Sequence, residues 1–174
     1  MRPVGDLYEL VLSIDLHGGI TEDELTELRW HVGQEPRPER LPIGTDSYLE
    51  TYPLGDPDDP DCEWESAEPA PVFGQRGAAW RVGGALIAEL VRREQPAGWA
   101  LTVRQELHPD MFYQLRTLLE WLGPRAVDRG DGVECFVGYL RFSETPQITP
   151  LALTNGRIGI PADVQSHTPD WQGT

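Results

Sequence analysis

Residues 7–17 read Leu-Tyr-Glu-Leu-Val-Leu-Ser-Ile-Asp-Leu-His, and no other stretch narrows the available folds as much. The even positions Tyr8, Leu10, Leu12, Ile14 and Leu16 are apolar. The odd positions Glu9, Ser13, Asp15 and His17 are polar, with Val11 the exception. Successive side chains of a strand point to opposite faces, so this alternation predicts one buried and one open face. A strand covered on both sides would be apolar throughout. The pattern therefore favours an antiparallel sheet with helices on one side.

Gly18-Gly19 then turns the chain into a helix. Thr21-Glu22-Asp23-Glu24 is a capping box, and its acidic first turn suits the helix dipole. Leu25, Leu28 and Val32 form the apolar stripe, and Gly33 ends it. Trp30 lies off the stripe and is expected to pack under the segment that follows. His31, beside it, reads as structural.

Residues 34–78 form a long insert, rich in proline and acidic residues and without periodicity. An unstructured connection of that length inside a compact domain is unusual. Tyr48, Tyr52, Trp64 and Phe73 are its expected anchors. A strand is expected from Ala79, with Trp80, Val82, Leu86, Ala88 and Leu90 on one face and Gly83-Gly84 marking a bulge or a close backbone approach. A Pro/Gly turn at 94–98 leads to a second strand, making a hairpin. There Trp99, Leu101, Val103 and Leu107 alternate with Ala100, Thr102, Arg104 and Glu106. A second helix opens near Pro109, with Met111, Leu115, Leu118 and Leu122 as its stripe, and ends at Gly123-Pro124. Residues 133–142 read as a strand apolar on both faces, so its orientation stays open. Asn155-Gly156 predicts a further hairpin within 143–160, and 161–174 reads as a coil tail with Trp171 as its anchor.

The order strand, helix, strand, strand, helix, strand resembles the ferredoxin-like fold. The expectation is an α+β single domain spanning 1–174. It has a β-α-β-β-α-β antiparallel sheet with both helices on one face, the long insert after the first helix, and an added C-terminal β-hairpin.

Composition removes several function classes. Acidic residues number 29 and basic ones 14, leaving a net charge of −15. Such a surface repels nucleic-acid phosphates and anionic membranes, so no nucleic acid and no membrane is expected as partner. All the basic residues are arginine, which excludes Schiff-base lysine chemistry, a Walker A loop and a kinase site. Cys62 and Cys135 make neither a Cys-rich zinc site nor a disulfide framework. Met1-Arg2-Pro3 leads into a charged strand and not into a signal sequence, so a cytoplasmic protein is expected.

Candidate chemistry centres on the open face. Asp15 and His17 from the first strand, with Arg104 and Glu106 from the third, are the candidate binding residues, since converging acid, imidazole and guanidinium bind polar ligands. The competing reading is a solvated face with cross-strand ion pairs. Ser13, Asp15 and His17 do not form a triad, because residues two apart on a strand stand roughly 6.6 Å from each other. The run 56–63 fails as a calcium loop: from Asp56, Pro60 and Asp61 occupy positions needing a ligand and a glycine, and Ala67 stands in for the bidentate Glu. No metal ligand set and no cofactor motif is expected.

The leading expectation is a non-catalytic acidic interaction protein: an adaptor, inhibitor or neutralising partner of a basic protein. The alternative is a small ferredoxin-like enzyme or ligand-binding protein, with His17 as acid/base and Arg104 as anion holder in a pocket on the open face. Uncovered apolar area on that face would be covered by the C-terminal hairpin or the insert, or by a second subunit, so monomer and homodimer both remain open.

Overall fold

The computed structural model describes residues 6–44, 51–66, 68–128 and 134–160. The protein is α+β. Its elements are β1 (Tyr8–His17), α1 (Glu22–His31), β2 (Thr51–Pro53), β3 (Trp64–Ser66), β4 (Gly77–Ala78), β5 (Ala85–Glu94), β6 (Ala97–Leu107), α2 (Phe112–Leu122), β7 (Cys135–Phe142), β8 (Ile148–Thr154) and β9 (Arg157–Ile158). Seven strands form one sheet in the order β4-β5-β6-β1-β7-β8-β9, and β2 pairs with β3 in a separate small sheet. Every strand pairing is antiparallel.

The alternation in β1 sets the layers. Tyr8, Leu10, Leu12, Ile14 and Leu16 are buried in one cluster with Leu25 and Leu28 of α1, with Val32 at its C-cap, and with Phe112, Leu115, Leu118, Leu119 and Leu122 of α2. Burying a leucine stabilises by about 1.5–3 kcal/mol, so this two-helix layer carries the fold. Both helices therefore cover the even-residue face of β1. Glu24 ties them together. It closes the capping box with Thr21, and its Oε1 accepts from Trp121 Nε1 at 3.1 Å and Arg125 Nη2 at 2.6 Å. No helix among the described residues is long and apolar enough to cross a membrane.

The insert is anchored on α1, and of its expected aromatic anchors Phe73 alone is buried among the described residues. Leu41, Ile43, Val72 and Phe73 are buried, whereas Tyr52 and Trp64 are exposed; Tyr48 lies outside the described residues. Two buried α1 side chains make the attachment. Glu27 Oε2 accepts the Ile43 N–H at 2.6 Å, and His31 Nδ1 accepts the Val72 N–H at 3.3 Å. Trp30 is buried too, stacked obliquely on the His31 ring.

Two expectations need correction. No strand begins at Ala79: residues 79–84 form a loop, and the strand starts at Ala85. Gly83 and Gly84 both take left-handed φ values, 76° and 69°, which end extended pairing there and not merely bulge it. The C-terminal hairpin β8–β9 also does not fold over the open face. It extends the sheet beyond β7. The tail 161–174 lies outside the described residues.

Candidate functional site

The face of the sheet opposite the helices carries the odd residues of β1. Register places Ser13 opposite Thr102, Val11 opposite Arg104, and Glu9 opposite Glu106 on β6. On the other side Glu9 pairs with Arg141 and Val11 with Tyr139 of β7. Around Glu9 an ion network forms. Glu9 Oε1 accepts from Arg104 Nε at 2.9 Å and Nη2 at 2.6 Å, while Oε2 accepts from Arg141 Nε at 2.8 Å. Remaining guanidinium donors go to backbone: Arg104 Nη1 to Ala85 O, and Arg141 Nη1 to Thr145 O. The Glu9 side chain is only 5% exposed, and three charge-assisted contacts from two arginines offset its desolvation.

Glu106 does separate work. Its carboxylate accepts the backbone N–H groups of Trp80 at 2.8 Å, Arg81 at 2.5 Å and Val82 at 2.8 Å. Burial acts to raise its pKa, but these three donors and the nearby Arg104 charge outweigh it, and the carboxyl titrates below its ordinary value. The 79–84 loop is thus fastened over one end of the open face.

At the other end Asp15 forms an ion pair with Arg93 of β5, and His17 stands exposed opposite Gly98. His17 and Glu9 are eight residues apart along β1, roughly 27 Å. The antiparallel register therefore separates the four candidate residues: Asp15 and His17 lie at one end, Arg104 and Glu106 at the other. Two residues of the network, Glu9 and Arg141, lay outside the candidate set. Glu9 shares the parity of Asp15, and Arg141 is a lone charge in an otherwise uncharged strand; only the register joins them.

The face also holds a recess of about 590 Å³, lined by Phe136 of β7, Pro150, Ala152 and Thr154 of β8, and Glu134, Arg157, Gly159 and Ile160. None of the four candidate residues lines it.

A second surface is the arm formed by β2 and β3. Between 52 and 66 no residue is buried, and only Pro53 and Cys62 are half-buried. It carries six carboxylates (Asp56, Asp58, Asp59, Asp61, Glu63 and Glu65) and no basic group. Tyr52, Leu54 and Trp64 are exposed among them. The tip is ordered by its own side chains: Asp56 Oδ1 accepts the Asp58 N–H, and Asp59 Oδ1 the Asp61 N–H, both at 3.0 Å. Such Asx turns are the conformation these residues prefer. Tyr52 donates its hydroxyl to Glu65 Oε2 at 2.8 Å, and that bond raises the phenol's pKa. Among the described residues no group of three or more His, Cys, Asp or Glu is arranged to hold a metal ion. Compared with known proteins, the chain matches no family model, no curated protein and no solved structure.

Proposed function

We propose that this protein is a non-catalytic interaction protein whose acidic arm engages a basic protein in the cytoplasm. The observation that carries the reading is the composition of the arm. Six carboxylates and three exposed apolar side chains project on a hairpin with no basic residue and no buried one. Carboxylates attract Lys and Arg from a distance, and Trp64 and Tyr52 offer ring faces to the same cations at contact. The polar groups of the open face support this reading from the other side. Arg104 and Glu106 spend their charge on Glu9 and on backbone N–H groups, which leaves them poorly suited to bind a ligand. The scaffold is read as ferredoxin-like, on the strength of the order β5-β6-β1-β7 among the four long strands with a helix after the first and the third.

A ligand-binding protein is the second reading, and the 590 Å³ recess favours it. Its polar groups would be Glu134 and Arg157 and not the four candidate residues.

An arginine-rich peptide, titrated by fluorescence anisotropy at low and moderate salt, tests the proposal. The variant Asp58→Asn/Asp59→Asn/Asp61→Asn retains the Asx acceptor and removes three charges. It should weaken binding about tenfold more than Glu39→Gln/Glu68→Gln/Glu120→Gln, which removes the same charge elsewhere. Equal losses would reduce the arm to a share of the overall charge and defeat the proposal.

A further inference from the structure

The nine exposed large apolar side chains of the described residues fall into few places. Three are on the arm and one, Tyr113, is on α2. The other five are Ile87 and Val91 of β5, Phe136 of β7, Ile148 of β8, and Trp80 on the loop that Glu106 holds. These five belong to the open face. Apolar surface concentrated in this way marks a contact site.

We infer that this face docks against the same face of a second copy of the chain, forming a two-fold dimer. Charge selects the occupant. The chain carries −15 overall, yet on this face Glu9 is matched by Arg104 and Arg141, and Asp15 by Arg93. A basic protein finds little to attract it there, and another copy finds little to repel it. The size is adequate. Five strands, β5 to β8 in sheet order, spaced about 4.8 Å apart and about eight residues long, present roughly 600 Å² per copy. Two such faces bury about 1,200 Å², the lower bound of a stable interface.

The layout is also self-complementary. β5 and β7 flank the β6–β1 seam at equal distance. A two-fold axis along that seam lays β5 of one copy over β7 of the other. Phe136 lies near the level of Ser13, between the levels of Ile87 and Val91. In the dimer it inserts between those two side chains of the partner, and the symmetry makes the contact twice. Ser13 and Thr102, small and central, let the sheets approach to about 10 Å.

Sedimentation velocity on the full chain reads the outcome. At about 100 μM, well above the micromolar constants of weak interfaces this size, twice the 19.5 kDa chain mass is expected. Val91→Glu and Phe136→Glu, both at exposed positions, should each raise the dissociation constant at least about tenfold with the circular dichroism spectrum unchanged. The arm variant above should dimerise like the parent, which separates this inference from the arm reading. A chain that stays monomeric, or a dimer indifferent to both substitutions, overturns it. So does a monomer that dimerises only once residues 161–174 are removed, because the tail is then the occupant.

Discussion

Glu27 and His31 stand one helical turn apart on α1, neither with any side-chain exposure, and His31 Nε2 lies 3.4 Å from Glu27 Oε1. With Nδ1 accepting from Val72, the imidazole is neutral and donates from Nε2. Burial is the main cause holding its pKa below the ordinary 6.5; Glu27 acts in the opposite sense and does not overcome it. The unfolded chain therefore binds a proton more readily than the folded one below that pH. Stability is full above pH 6.5 and falls as the pH drops from there towards the folded pKa. Urea unfolding should show the loss, with a slope of at most about 1.4 kcal/mol per pH unit from this group. In His31→Gln the slope through that window should flatten. An unchanged slope would mean that another group is responsible.

At the level of elements, β7 shows how a strand's surroundings dictate its sequence. Its register slips between Phe136 and Gly138, a bulge against β8. A Cβ at Gly138 would lie 1.9 Å from Val11 O of β1. Gly138→Ala should therefore force β7 off β1 and cost about 3 kcal/mol or more in thermal unfolding. Gly19→Ala, where nothing lies within 4 Å, should stay within about 1 kcal/mol. Comparable costs would refute the steric account. The bulge also explains why the face of β7 was unreadable. It breaks the period of two, turning Val137 inward and Phe136 outward, and Gly138, the one residue type that hints at a bulge, does not say which neighbours change face. By contrast β1, α1 and α2 were legible because hydrophobic period and capping residues are local signals. The ion network was not, because Glu9 and Arg141 are 132 residues apart and meet only through strand pairing.

Across the whole molecule the dominant field is self-repulsion, 29 acidic groups against 14 arginines. Exposed ion pairs such as Arg29–Glu22 contribute only about 0.2–1 kcal/mol each. Raising NaCl from about 10 mM to about 150 mM shortens the screening length from about 30 to about 8 Å. Relief of repulsion should then raise Tm by a few degrees. A falling Tm in a calorimetric scan would mean that the ion pairs outweigh the repulsion.

The central strand and its neighbours come from opposite sides of the arm. β1 and α1 precede it in the chain, while β6 and β7, which grip β1 through ten and five register pairs, follow it. A backbone nick at the fully exposed tip would yield two fragments, each holding half of the same ladders. Neither could bury its apolar face alone, so the severed polypeptide would persist as one folded body, and the two pieces, made separately, would complement each other.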